Sequence, residues 1–173
     1  MAHAPEGSGS GIELPEHTLD RMISRYHTPI LHFCCAILRD PAAAEDATQE
    51  TFLKAYRNLQ TFRQESSEKT WLTAIALNVC RDMRKSAYWR HTEKRVTPEA
   101  LDRPAPEQDP EALALGQAIA NLPEKYRDAI LLYYYQDMTL QEAATLLKTT
   151  PSTLSKRLAR ARALLKKELE VQL

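Results

Sequence analysis

Apolar side chains recur along this chain at steps of three and four residues, the spacing that lines one face of an α-helix. Between Thr18 and about Arg39 they are Leu19, Met22, Ile23, Tyr26, Ile30, Phe33, Cys34, Ile37 and Leu38, which predicts a first helix. Pro29 falls inside it, where a missing N–H should kink or split the helix. Asp40-Pro41 then pairs a capping side chain with a residue suited to a first helical turn. A second helix is predicted to about Leu59, with Ala44, Ala47, Phe52, Ala55, Tyr56 and Leu59 on the apolar face. Its other face carries Glu45, Asp46, Gln49 and Glu50. Gln60 to Lys69 is polar and reads as a loop, with Ser66 or Ser67 capping a third helix from about Glu68. The stripe of that helix is Trp71, Leu72, Ile75, Val79 and Met83, so Trp71 reads as core.

The second half repeats this grammar in shorter pieces. Helices are predicted over about Pro110–Asn121, Pro123–Gln136, Leu140–Lys148 and Pro151–Glu170. Asp109-Pro110 and Thr150-Pro151 repeat the cap-and-proline pairing, and Thr139 with Glu142 forms a capping box. Residues 1–17 are small and Gly/Ser-rich at their start and read as a flexible tail. Residues 96–110 hold four prolines and a net charge of −3, and they read as an extended acidic linker. Fifteen such residues can span about 50 Å. The expected organisation is a tail over 1–17, a first domain over 18–95, the linker over 96–110 and a second domain over 111–173.

Composition points the same way. The chain of 173 residues has 23 Leu and 23 Ala but 3 Val, and a single glycine, Gly116, beyond Gly11. That is material for helices and little for strands or tight hairpins, so the fold class is all-α, two small helical domains. No apolar run approaches the length of a membrane span. Cys34, Cys35 and Cys80 have no disulfide or zinc spacing, and free thiols fit a reducing cytoplasm. No metal, cofactor or small-molecule substrate is expected.

Net charge is zero, with 23 bases against 23 acids, but it is unevenly placed. Residues 81–95 carry a net +4, with Tyr88 and Trp89 inside the run as candidates for surface contact. The last helix carries Lys156, Arg157, Arg160, Arg162, Lys166 and Lys167 with no acid before Glu168. These cations lack i,i+4 acidic partners, so their face repels itself unless something anionic neutralises it. The preceding short helix, the break at Lys148, Thr149 and Thr150, and the longer basic helix form a helix-turn-helix pattern, with Leu154 and Leu158 as anchors. Ser152, Thr153, Ser155 and Lys156 occupy the N-terminal turns, the part that reaches base edges. Arg157 sits beside them, and the later cations suit phosphate contacts.

Residues 44–56 (AEDATQETFLKAY) and 70–85 (TWLTAIALNVCRDMRK) resemble region 2 of bacterial sigma factors. Thr139–Leu169 resembles region 4 of the same sigma-70 family, and the likeness is greatest to the extracytoplasmic-function group. The resemblance covers about residues 18–170. It implies a promoter-specificity subunit that is not an enzyme, with core RNA polymerase, promoter DNA and an anti-sigma factor as partners. It implies that Asp46, Gln49 and Glu50 dock on core polymerase, where opposite charge steers and registers the partner. It further implies that Asn78, Arg81, Arg84 and Lys85 approach the minus-10 element and that the 60–69 loop holds an unstacked base. Ser152, Thr153, Ser155, Lys156, Arg157 and Arg160 are then the minus-35 contacts. The implied location is cytoplasmic, including the inner membrane face where an anti-sigma factor holds it.

Three positions depart from the family pattern. Glu68 stands where an aromatic is frequent, Ala74 replaces a frequent arginine, and Lys148 stands where a turn glycine is usual. Two other classes compete with the sigma reading. One is a stand-alone helix-turn-helix regulator whose first half senses or dimerises. The other is a metal-dependent nuclease using Glu45, Asp46 and Glu50 near a histidine, although those acids share one helix without a convergent partner. For a sigma factor, the isolated chain is expected to sample several inter-domain geometries, or a closed one in which the linker screens the last helix.

Overall fold

The computed structural model describes residues 15–86 and 109–172, and every regular element among them is helical. The first module holds α1 (Pro15–Leu38), α2 (Pro41–Asn58), a 3₁₀ turn at Leu59–Thr61, and α3 (Glu68–Lys85). The second holds α4 (Pro110–Asn121), α5 (Glu124–Ile130), α6 (Leu140–Leu146) and α7 (Pro151–Gln172). The all-α, two-module expectation therefore stands. The 87–95 part of the basic run, with Tyr88 and Trp89, and the linker up to residue 108 lie outside the described residues.

The caps fall where the local chemistry places them. Asp40 Oδ1 accepts from the Ala43 N–H at 3.0 Å, Ser67 Oγ from Thr70 at 3.0 Å, and Asp109 Oδ1 from Glu111 at 3.1 Å. Each satisfies one of the orphan donors at a helix N-terminus.

Three expectations are corrected. Pro29 does not split the first helix, which runs unbroken and begins at Pro15, inside the stretch read as tail. Pro29 and Arg25, whose carbonyl loses its donor, are both exposed, so the missing bond falls on the solvent-facing side of the helix. Tyr56 is not on the buried face of α2 but 44% exposed. The core positions are Ala44, Ala47, Thr48, Thr51, Phe52 and Ala55, and the buried threonine hydroxyls bond back to Ala44 O and Ala47 O. Finally, α5 does not stay α-helical to Gln136. From Leu131 to Tyr135 it widens into a π-turn, closed by the Gln136 N–H on Leu131 O at 3.0 Å. The wider turn seats both Leu131 and Leu132 in the core while Tyr134 and Tyr135 stay exposed.

α1, α2 and α3 pack on one another, and α7 packs on α4, α5 and α6. Apolar side chains of both modules merge into one buried cluster, from Ile37, Leu38, Leu72 and Leu77 to Leu132, Leu154 and Leu158. Trp71 lies at the edge of this core, half-buried and stacked on Phe62 at 4.6 Å between ring centroids. Cys34 and Cys80 are both fully buried. The hydrogen bond to Cys34, reinforced by burial, pushes the Cys80 thiol well above the ordinary thiol range, so it stays protonated and inert.

Candidate nucleic-acid interface

The helix-turn-helix is built from local signals. Thr139 Oγ1 accepts from the Glu142 N–H at 3.2 Å while Glu142 Oε2 accepts from the Thr139 N–H at 2.8 Å, the reciprocal capping box that starts α6. The helix ends in a full Schellman turn, with Thr149 N–H on Ala144 O at 2.9 Å and Lys148 N–H on Thr145 O at 3.1 Å. Lys148 occupies the left-handed position, with φ of 50°, that a glycine would adopt without strain. Thr150 Oγ1 then accepts from the Thr153 N–H at 3.1 Å and starts α7.

Leu154, Leu158, Ala161 and Leu165 anchor α7, all buried, and Ala143 and Ala144 give close approach from α6. That anchoring turns the opposite face of α7 to solvent. Ser152, Thr153, Ser155, Lys156 and Arg160 are exposed there. Arg157 is half-buried. Farther along, Arg162 donates to Tyr134 Oη at 3.0 Å, and Lys166 pairs with Glu170 four residues on at 3.8 Å, so these two cations are partly engaged and the expectation that none of the six has an i,i+4 acidic partner is corrected at Lys166.

On the first module, Asp46 and Gln49 are exposed, and Glu50 is half-exposed beside Lys54 at 4.0 Å. The same face carries two side chains that the residue pattern did not assign to it. Leu53 is 51% exposed, and Tyr56 joins it. Asp46, Gln49, Leu53 and Tyr56 follow steps of three, four and three residues, one helical stripe. The signal for Leu53 was its phase, since it falls opposite the Ala44–Ala47–Thr51–Ala55 core positions.

The four α3 residues separate. Asn78 and Lys85 are exposed, whereas Arg81 and Arg84 turn onto the second module. Arg81 Nη1 donates to Leu146 O, at the end of α6, at 3.0 Å. Arg84 Nη2 donates to Asp128 Oδ1 at 3.1 Å and to Ile37 O, near the C-terminus of α1, at 3.1 Å. Arg84 Nη1 reaches Asp128 Oδ2 at 3.4 Å and pairs with Glu124. The Arg84 and Asp128 side chains are only 8% and 3% exposed. Burial works against the charge on Arg84, but the Asp128 and Glu124 carboxylates outweigh it and raise its pKa above the usual arginine value. Beside it, Arg127 donates to Ala120 O at 3.2 Å and Ile37 O at 3.5 Å. Burial first, and the Arg84 charge second, lower the Arg127 pKa. Arg81, Lys125, Arg157, Glu124 and Asp128 line a cleft of about 420 Å³ at this junction.

These geometries coincide with known families. The Sigma-70 region 2 family model matches residues 22–90, and Sigma-70, region 4 matches residues 112–165. The chain is 32% identical to the ECF RNA polymerase sigma factor SigW of Bacillus subtilis over 163 residues, covering 86% of this chain and 87% of that one. It is 33% identical to the probable RNA polymerase sigma factor RfaY of Xanthomonas campestris pv. campestris over 162 residues, and it spans 40% of that protein's length. Among solved structures, the sigma factor RpoE of Bartonella quintana, in complex with the anti-sigma factor NepR, shares the fold at a TM-score of 0.75 and 21% identity, over 90% of this chain and 99% of that one.

Proposed function

Because this chain belongs to the sigma-70 family, as an RNA polymerase sigma factor of the extracytoplasmic-function group, we propose that it carries two promoter-reading modules to core RNA polymerase. It makes no covalent change itself. The first module, over residues 18–95, docks on core through Asp46, Gln49, Glu50 and the adjoining Leu53 and Tyr56. It meets the minus-10 element through Asn78, Arg81, Arg84 and Lys85. The second, over residues 111–173, meets the minus-35 element through Ser152, Thr153, Ser155, Lys156, Arg157 and Arg160. The linker over 96–110 tethers them, so that binding of one module raises the effective concentration of the other.

The observation that carries this reading is the capped helix-turn-helix. Its anchored α7 presents small polar side chains and unpaired cations at its N-terminal turns. That arrangement is what major-groove readout with phosphate anchoring requires. The stand-alone regulator is not favoured, because the first half matches sigma region 2. By analogy with the Bartonella relative, an anti-sigma protein is the regulatory partner. No described helix is long and apolar enough to cross a membrane. We place the chain in the cytoplasm, where it reaches the inner membrane face when an anti-sigma protein tethers it there.

The test is in vitro transcription with core polymerase over a randomised promoter library. Core with this chain should initiate from templates sharing two elements at one fixed spacing, which core alone ignores. Initiation without such selection, or no association with core, would defeat the reading.

A further inference from the structure

The residues of α3 assigned to DNA differ in exposure. Asn78 is exposed, Arg81 is half-buried, and the Arg84 side chain is 8% exposed. A guanidinium on a DNA-contacting helix ordinarily meets phosphate oxygens, planar acceptors that suit its fork. Here Arg84 already has such acceptors, two oxygens of Asp128 and one of Glu124. Arg81 is likewise spent on the carbonyl of Leu146, one residue before the turn of the helix-turn-helix begins. Further contacts extend along α3. Thr73 Oγ1 lies 3.4 Å from Gln136 Oε1, and Lys69 Nζ lies 4.0 Å from Asp137 Oδ2. Arg157, read as a minus-35 contact, opens on the same cleft. Both modules thus turn arginines of their DNA-reading sets toward each other.

We propose that Asp128 and Glu124 form an autoinhibitory latch: in the free chain they occupy Arg84 in the place of DNA phosphates and hold the second module over the minus-10 helix, so DNA engagement requires the junction to open. The proposal rests on the reading of α3 as a DNA-contacting helix. In the closed form the Arg84–Asp128 pair is shielded from solvent, and removing the carboxylate charges strands a buried guanidinium. The open form, where water reaches Arg84, is then favoured. A chain that is binding-competent in only about a tenth of its molecules binds about tenfold more weakly than its open form.

The first arm compares the full chain with Asp128→Asn/Glu124→Gln by small-angle scattering and by binding of a short labelled single strand of mixed sequence. The variant should have a larger radius of gyration and bind about tenfold tighter. Because it also loses two negative charges, Glu111→Gln/Glu168→Gln serves as a control that removes two carboxylates away from the junction. Equal tightening in the control, or an unchanged radius in the junction variant, overturns the latch. The second arm needs no destabilised junction. Lys69→Cys with Asp137→Cys, in a Cys35→Ser background, is joined by a reducible bis-thiol linker. The joined chain, with no open population, should lose most of the DNA binding that the unjoined chain shows and regain it on reduction. Joined and reduced forms that bind alike overturn the proposal, even where the first variant fails to fold. Transcription with core polymerase is read in parallel on the unjoined wild type. If it fails to initiate, the sigma reading fails. If it initiates while locking leaves DNA binding untouched, only the latch fails.

Discussion

Arg21 grips Glu68 with both terminal nitrogens, Nη1 to Oε2 at 3.0 Å and Nη2 to Oε1 at 2.7 Å, and so ties α1 to the first turn of α3. A carboxylate is favoured at that helix N-terminus, where unpaired N–H groups leave partial positive charge. The bidentate pair gives the acid at this position a structural role.

A pH dependence follows from this pair. The hydrogen bond from Arg21 lowers the Glu68 pKa, against a smaller opposing effect of burial. A carboxyl with a depressed folded-state pKa adds stability that is present above its unfolded value and lost as pH falls through the folded one. Glu68→Gln should therefore cost stability at neutral pH, and the gap to wild type should close below the ordinary glutamate range. The Arg21 side chain is 42% exposed, so solvent screening limits the effect to under about 1 kcal/mol. Urea denaturation at neutral and acid pH reads it, and a gap that stays constant with pH would assign the effect to packing.

The turn of the helix-turn-helix yields a prediction of opposite sign. The left-handed conformation costs a non-glycine residue about 1–2 kcal/mol, while glycine brings about 0.5–1 kcal/mol of extra chain entropy to be lost on folding. Lys148→Gly should therefore stabilise the chain by about 0.5–1 kcal/mol, as a higher urea midpoint at unchanged slope. A lower midpoint would mean that the lysine side chain contributes more than its backbone strain costs.

Those two positions also show what was legible in the sequence. Caps and turns are written within four residues, so Asp40-Pro41, Asp109-Pro110, Thr139 with Glu142, and Lys148 could be read without the fold. Phase along one helix was nearly as legible, and it failed at Tyr56 because an aromatic beside Ala55 passes for core while its large polar-tipped ring suits either face. The destination of Arg81 and Arg84 was not legible. A basic run looks solvated, and the carboxylates that pair with Arg84, Glu124 and Asp128, lie forty and forty-four residues away, beyond the linker, in a stretch (EKYRD) whose own charges balance. Pairing across that distance is set by tertiary packing, not by local pattern.

Docking on core polymerase should separate charge from apolar contact. Asp46→Lys with Glu50→Lys should slow association and flatten or invert its dependence on salt, because screening then weakens a repulsion instead of an attraction. Leu53→Ser should instead speed dissociation and cost about 1–2 kcal/mol of core affinity, with little loss of folding stability because Leu53 is half-exposed already. Kinetic binding assays with immobilised core distinguish the two. Wild-type affinity in both variants would remove this face of α2 from the interface.

DNA readout by α7 should divide along the helix. Lys156 and Ser155 are exposed at its N-terminal turns, where side chains reach base edges. Lys156→Ala should cost about 1–3 kcal/mol at the preferred minus-35 element and little at a scrambled one. Arg160 and Lys167 are exposed farther along. Their alanine variants should weaken binding to all sequences alike and reduce the salt slope by about one counterion each. Arg162 belongs with neither set, because it also holds Tyr134 at 3.0 Å. Its loss should lower DNA affinity and loosen the packing of α7 on the π-turn, so Arg162→Lys should restore the first more than the second. Affinities measured over a salt series, on the preferred and the scrambled element, make the division visible. If Lys156→Ala loses equally on both duplexes, the N-terminal turns of α7 grip the backbone and do not read bases.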